Sequence, residues 1–528
     1  MIKEMMQTLE NSSNFSTTEN GATGYSTTGS KLVDLNFRIP SMRRGFSSKD
    51  IDDFVQSMNE NLEYAVKWMF YVRDVRGGLG ERDTFIRLYS EFYANHKSEA
   101  KACLDLISEY GRWKDIVDLA FVGDEELEND CLEIIKNQLK SDAVGLAAGK
   151  SISLLAKWLP SINATQKARE QAKKVSHYLG MPFASYRKML SKFRAYLDVT
   201  EVKTCANQWG DIDYNKVSSN ANLKYSSAFM RHDEARRLEY LSELNAAKEN
   251  SKVKMNASVL YPYEIWTKYN RGVAYADRWC CCGENTDNVI DDLDPALEAM
   301  WENLKEMGSC GNTMCIVDGS GSMTTRYTGM SAKPIDIARS LGTYFAERCT
   351  GEFHNMMIEF SSFPKIIDIN GCETLMDKIN HISKYSDCSN TDIEKTFMLI
   401  LDTAVKNHMS QEDMPERLLI VSDMEFDRAT RSSICEYEYT TLFQSIEDRF
   451  RIHGYKMPKL VFWNVASRTN TIPVKENDFG VILVSGFSVN IVNMVMSGET
   501  DPWLALKGVL DNERYNQISD KLNSVNNE

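Results

Sequence analysis

The chain has 528 residues, 43 % hydrophobic and 26 % charged, which leaves room for roughly two to four domains of ordinary globular composition. Its formal charge of −14 argues against a protein that coats nucleic acid indiscriminately, because such binding is driven by phosphate neutralisation. Twelve cysteines lack a repeating spacing, no apolar segment follows a basic N-terminus, and no run of about eighteen apolar residues occurs, so the expectation is a cytoplasmic chain with no disulfide framework and no membrane span.

Residues 1–34 are rich in Ser, Thr, Asn and Gly and read as a flexible N-terminal arm. From 35 to 303 the apolar spacing is helical: Phe54, Leu62, Ala65, Val66, Trp68, Met69 and Val72 form one amphipathic stretch, and Phe85, Leu88, Tyr89, Phe92 and Tyr93 another. Breaks at Gly77-Gly78, Gly111, Gly123, Pro160 and Gly180-Met181-Pro182 separate these runs as they do in the paired helices of an α-solenoid. Around Gly77, Gly78 and Gly80 stand Arg73, Asp74, Arg76, Glu81, Arg82 and Asp83. A phosphate loop needs a preceding strand and a terminal Gly-Lys-Ser/Thr. Here a helix precedes, so buried Arg–carboxylate pairs fixing a helix-to-helix turn are expected, with YGRWKD at 110–115 as a packing element.

Between Lys150 and Lys254 there are 19 Lys and Arg against 10 Asp and Glu, a net of +9 that leaves −23 on the rest of the chain. Within this block Arg187, Lys188, Lys192 and Arg194 interleave with Tyr186, Phe193 and Tyr196, and Arg231, His232, Arg236 and Arg237 follow. Cations mixed with aromatics suit phosphates and unstacked bases; the alternative is that the aromatics face a core and the cations face water. Cys280-Cys281-Cys282 is the only cysteine cluster, and without a C-x-x-C pair or a nearby His it reads as a buried segment and not a zinc site.

From 304 to 528 strands and helices alternate: TMCIVD, a helix from Ile335 to Cys349, MMIEF, helices near 375–382 and 393–405, RLLIVSD, a helix near 442–451, KLVFWNV, GVILVSG and a closing helical pair. That order implies a doubly wound, mostly parallel sheet with ligands at the carboxyl ends of its strands. The first of these strands ends in Asp318 and opens into Gly319-Ser320-Gly321-Ser322. A carboxylate and two hydroxyls on a glycine-containing turn suit a hard divalent cation, Mg²⁺ or Mn²⁺.

This D-x-S-x-S turn resembles the metal-ion-dependent adhesion site of the von Willebrand factor A fold. That likeness implies two further ligands from later loops, Thr391 in SDCSNTD and Asp423 at the end of RLLIVSD, with Ser389, Asp392 and Asp427 as alternatives for one position. The blocks AVKWMFYVRDVRGGLGERDT and YGRWKD, followed by such a domain, resemble the TROVE family of Ro-ribonucleoprotein-like proteins. A nearer likeness is to plant, fungal and large-virus proteins of this layout, carried by TENGATGYSTTGSKLVDLNF, LLAKWLPS, YRKMLSKFRAYLDVTE and YSSAFMRHDEARRLEYL. The resemblance implies a HEAT-like ring or arc of α-helical repeats before a Rossmann-like von Willebrand factor A domain, and binding of small or single-stranded RNA.

The function expected from the sequence is therefore a non-enzymatic RNA-binding scaffold whose metal site captures an acidic residue of a protein partner. A protein-only scaffold is the alternative. A metal-dependent hydrolase ranks third, since no general base, second metal set or nucleophile–His pair accompanies the turn.

Overall fold

The structure is a computed structural model of the chain, described for residues 14–246, 253–270, 290, 292–306, 308–327, 330, 332–360, 363–385, 392–427, 442–473, 482–488, 490 and 501–526. It divides into two compact units, Met1–Ser57 with Ala257–Val509, and Met58–Asn256 with Leu510–Glu528. No described helix is long and apolar enough to cross a membrane.

The first unit is built on a six-stranded sheet. Its strands are β3 (Thr313–Asp318), β4 (Met356–Phe360), β5 (Lys365–Asp368), β6 (Arg417–Ser422), β7 (Lys459–Asn464) and β8 (Ile482–Ser485), while β1 (Phe15–Thr17) and β2 (Thr23–Tyr25) form a separate antiparallel hairpin. The order across the sheet is β5-β4-β3-β6-β7-β8. All pairings are parallel except β4 with β5, an antiparallel edge that the sequence pattern does not announce. Every residue of β3 is buried, as expected of a central strand covered on both faces. The helix Pro334–Ala346 is buried along its whole length and packs on β3.

Because β3 connects outward to β4 on one side while β6 continues the sheet on the other, the carboxyl ends of β3 and β6 flank the point where strand order reverses. In open α/β sheets such a point leaves a crevice for ligands. Asp318 closes β3 and Asp423 directly follows β6.

The second unit is helical. Its helices include Leu62–Arg73, Arg82–Asn95, Lys97–Cys103, Trp113–Leu119, Glu125–Ala147, Gln166–Tyr178, Phe183–Tyr196, Ser219–His232 and Asn516–Asn526. The Asn61 side chain caps Leu62–Arg73 by accepting from the Tyr64 amide at 3.0 Å. Rings of Phe70, Phe85, Tyr89 and Tyr110 meet at tilted angles in the core this helix shares with Arg82–Asn95.

The charged glycine loop is a packing device, as expected. Arg73 pairs with Asp115 of the YGRWKD segment, Nε to Oδ2 at 2.7 Å, and both side chains are buried. Asp74 receives the Arg514 guanidinium and the Tyr515 hydroxyl. At Gly78 a Cβ would lie 2.0 Å from the Tyr71 carbonyl oxygen, so only glycine permits the approach.

The expected boundaries at 34 and 303 differ from this division, for three physical reasons. The segment read as a flexible arm lies outside the described residues up to residue 13, but from Asn14 it is tied to the sheet unit: Tyr25 and Ile472 exchange backbone bonds of 2.8 Å, and Thr18 Oγ1 donates to the Phe426 carbonyl at 2.6 Å. Lys31–Phe37, which spans the expected boundary between arm and helical repeats, packs on β8, and Pro262–Tyr269, read as part of the repeats, packs on Pro334–Ala346. Conversely, the last helix, Asn516–Asn526, packs on Leu62–Arg73 and Lys97–Cys103 and belongs to the helical unit. Cys280, Cys281 and Cys282 lie outside the described residues.

Candidate metal centre and basic helices

The turn after β3 is shaped by its glycines and by a buried carboxylate beneath it. Gly319 donates its amide to the Phe360 carbonyl at 2.9 Å, and a Cβ there would stand 2.7 Å from Glu359 Oε1. Glu359 cannot move aside, because Arg339 grips it through two bonds of 2.9 and 2.8 Å in the interior. The chain then tightens into a 3-10 turn over Gly321–Thr324, which turns Ser320 and Ser322 toward each other.

The side chains converge. Ser320 Oγ and Ser322 Oγ lie 3.2 Å apart, and Ser322 Oγ donates to Asp423 Oδ2 at 2.7 Å. Asp318 accepts from the Ser320 amide at 2.9 Å and from Ser422 Oγ at 2.5 Å. Both carboxylates are fully buried. Burial pushes the Asp318 carboxyl well above the ordinary carboxylate range, and the neighbouring Asp423 charge adds to the shift. Asp423 is raised by the same desolvation, with Ser322 and Arg468 acting the other way. Met424, next in the chain, holds a left-handed backbone at φ 63° while fully buried, which fixes how the loop leaves the site.

Four contributors to the site had no part in the sequence-based expectation. Ser422 sits at the end of a buried central strand, where its hydroxyl had to find a polar neighbour. Arg468 stands at the rim, one terminal nitrogen 3.4 Å from Asp423 Oδ2 and 2.7 Å from Glu19 Oε2, and another 2.9 Å from the hydroxyl of Tyr327. Glu425 gathers the amides of Glu19, Arg468 and Thr469 at 2.8, 2.7 and 2.8 Å and so ties the hairpin loop to the site. Arg468, Tyr327 and Glu425 carry no local sequence signal, since they meet partners far away along the chain.

Thr391 and Ser389 lie outside the described residues. Asp392 is engaged elsewhere, capping the helix Ile393–Asn407 through the Lys395 amide and pairing with the Lys395 ammonium at 2.9 Å. Asp427 forms an isolated backbone bridge with Gly21. The donor set is thus two carboxylates and a group of hydroxyls. Among the described residues no three His, Cys, Asp or Glu side chains converge as a metal-ligand group. Two like charges buried side by side, with hydroxyl oxygens around them, fit a hard cation: it would offset their repulsion and accept that mix of ligands.

In the helical unit the basic residues separate into two kinds. Arg187, Lys188 and Lys192 are exposed on Phe183–Tyr196, and Arg231 and His232 are exposed at the end of Ser219–His232. Arg194 is half-buried and donates to the Ala156 and Leu159 carbonyls and to Ser161 Oγ, each at 2.8 Å. Arg236 pairs with Asp233 at 2.8 Å and donates to the Ile212 carbonyl at 2.8 Å. Both hold local structure. Of the aromatics interleaved with these cations, Tyr186 and Phe193 are buried, Tyr186 donating its hydroxyl to the Pro160 carbonyl at 2.9 Å, while Tyr196 is exposed and donates its hydroxyl to the Lys150 carbonyl at 2.9 Å. The ring exposed among the second group is His232, stacked on Trp209 at 4.4 Å.

Fold and site together describe a mostly parallel α/β sheet unit with acid-and-hydroxyl loops at its switch point, in a chain that also carries a helical unit. Residues 312–525 match the family described as Domain of unknown function (DUF7788), and residues 162–309 match Domain of unknown function (DUF2828). The chain is also 27 % identical, over 537 residues, to "Uncharacterized protein L728" of Acanthamoeba polyphaga mimivirus, a likeness covering 94 % of this chain and 87 % of that one. Neither family description nor the relative's name states an activity.

Proposed function

We propose that this chain is a non-enzymatic binding protein whose sheet unit is a von Willebrand factor A-type domain working through a metal-ion-dependent adhesion site. Asp318, Ser320, Ser322 and Asp423 would hold Mg²⁺ or Mn²⁺, with Thr391 as the remaining ligand implied by the resemblance. Bound there, such an ion offers an open coordination position to an acidic group of a partner. The observation that carries this reading is the meeting of two fully buried carboxylates with the Ser320 and Ser322 hydroxyls at the ends of neighbouring strands. The helical unit, read as a TROVE-like ring or arc of HEAT-like repeats, would carry small or single-stranded RNA on exposed cations such as Arg187, Lys188 and Lys192.

Titration of the full chain with Mn²⁺, followed by electron paramagnetic resonance, tests the first part: one saturable site is expected, lost in Asp318→Ala with the fold retained. Equal Mn²⁺ binding by that variant would overturn it. Fluorescence anisotropy with labelled oligouridylate tests the second part. Joint charge reversal at Lys188 and Lys192 should weaken binding and flatten its salt dependence, by about one unit of log–log slope for each phosphate that is no longer neutralised. If the unaltered chain binds no RNA, the helical unit is a protein scaffold, a reading favoured by its exposed Val144, Leu154 and Phe183.

A further inference from the structure

The helical unit contains a cleft of about 220 Å³ between the helix Phe183–Tyr196 and the segment that follows Leu159. Its polar lining comes from Ser161, Asn163, Arg187, Ser191 and Arg194, with Tyr186 among the ring and aliphatic groups beside them. Arg187, Ser191 and Arg194 are spaced by four and three residues, so they share one helix face. The cleft has no acid: its lining contains none, and residues 171–197 include no Asp or Glu at all.

The state of these groups is what makes the cleft informative. Arg194 is half-buried, yet its three hydrogen-bond acceptors are two carbonyls and a hydroxyl, all neutral. Burial lowers its pKa, and no carboxylate acts in the opposite direction. Its charge therefore lacks a counter-ion, which is costly for a guanidinium withdrawn from water. The side chains of Arg187, Asn163 and Ser191 make no hydrogen bond or ion pair with other described residues, so their donors remain available. A second cation, an amide and a hydroxyl thus line the same small space as the uncompensated one.

We propose that this cleft binds a phosphate group. Guanidinium forks match the geometry of phosphate oxygens, and the neutral donors satisfy oxygens that the two arginines leave free. The volume is below the roughly 300–1,000 Å³ of pockets that enclose drug-sized ligands, so it suits one phosphate and the group attached to it, not a whole dinucleotide. The site stands whether that phosphate belongs to an RNA strand or to a phosphorylated small molecule. It is independent of the metal centre.

Isothermal titration of the full chain with inorganic phosphate, uridine 5′-monophosphate, uridine and oligouridylate tests the proposal. Phosphate and the nucleotide are expected to bind saturably, uridine not at all, and Arg187→Gln to weaken the nucleotide by about tenfold, the loss of one charge-assisted hydrogen bond. Arg187 is exposed, so this change leaves the fold intact, and circular dichroism checks that. Three results would each overturn the proposal: uridine binding as well as its nucleotide, unchanged affinity in Arg187→Gln, or no binding of either phosphate probe tighter than about 1 mM. Oligouridylate binding far tighter than the mononucleotide, with a steeper salt dependence, identifies a strand as the source, and equal affinities identify a small molecule. Lys188 and Lys192 do not line the cleft, so their reversal tests the RNA reading separately.

Discussion

Arg339 and Glu359 form a two-pronged ion pair inside the sheet unit, Nε to Oε2 at 2.9 Å and a terminal nitrogen to Oε1 at 2.8 Å, with the turn backbone at Gly319 resting on the carboxylate. Removing one partner of such a pair strands the other charge. Arg339→Ala should lower unfolding stability by about 3–5 kcal/mol in a urea titration, and Arg339→Lys should recover only part of it, because an ammonium cannot supply both bonds. A loss below about 1 kcal/mol would mean that water reaches Glu359 and that the turn is not supported from beneath.

Asp318→Asn separates metal binding from folding. The amide oxygen can still accept from the Ser320 amide, and the amide nitrogen can donate to Ser422 Oγ, while one of two buried like charges disappears. In chelator the variant should be at least as stable as the parent, by an increment of about 1 kcal/mol. In Mn²⁺ the order should reverse, since the parent alone is stabilised by ligand binding. Thermal melts in both conditions measure it, and a variant less stable in chelator contradicts the repulsion between the two carboxylates.

The helix Pro262–Tyr269 supplies a pH-dependent contribution. Glu264 accepts the Tyr261 amide at 2.9 Å, and burial of its carboxyl pushes the pKa from 4.5 up to about 7. Between those values the native state holds a proton that the unfolded chain has released, so stability falls as pH rises and levels off above the folded value. Glu264→Gln keeps an acceptor for the cap and should flatten that fall, by up to about 3 kcal/mol across the window. Urea midpoints from about pH 4.5 to about pH 7.5 in parent and variant check the sign.

At Gly78 the space is already taken. Gly78→Ala should destabilise the helical unit by about 1–3 kcal/mol or more, since the added methyl meets the Tyr71 carbonyl rather than the far end of a flexible side chain. Gly123→Ala is the comparison: its Cβ would meet nothing within 4 Å, and any cost there comes from its φ of 110° alone. A loss below about 1 kcal/mol at 78 would show that the Tyr71 carbonyl gives way to the methyl and that the close approach does not require glycine.

What could be read beforehand was local. An apolar run ending in Asp318, a second ending in Asp423 and the tight spacing of Ser320 and Ser322 each occupy a few consecutive residues, so their pattern survives in one dimension. Arg73 was legible as a paired cation because charges crowd a glycine turn, although only the structure names Asp115 as its partner. The hairpin at Phe15–Tyr25 was invisible for a different reason. It is anchored by backbone and hydroxyl bonds to residues 425–426 and 471–472, not by burial of large apolar groups, so its composition reads as an arm. The aromatics of Phe183–Tyr196 misled in the opposite direction: a helix that buries one face mixes rings with cations in sequence even where, as at Tyr186 and Phe193, the rings are buried and the cations between them are exposed.

The two units exchange their ends along the chain. The sheet unit starts with residues before 58 and resumes at 257, and the helical unit is completed only by residues after 509. During synthesis β1 and β2 must wait for residues 425–426 and 471–472, some 400 positions or more further on, and Asp74 waits as long for Arg514. Pairings so distant in sequence slow folding and lengthen the time that unfinished surfaces stay uncovered. A nascent chain stalled before residue 510 would thus leave Asp74 buried without its cation, and maturation of the helical unit would be timed by the emergence of residues 510–526 from the ribosome.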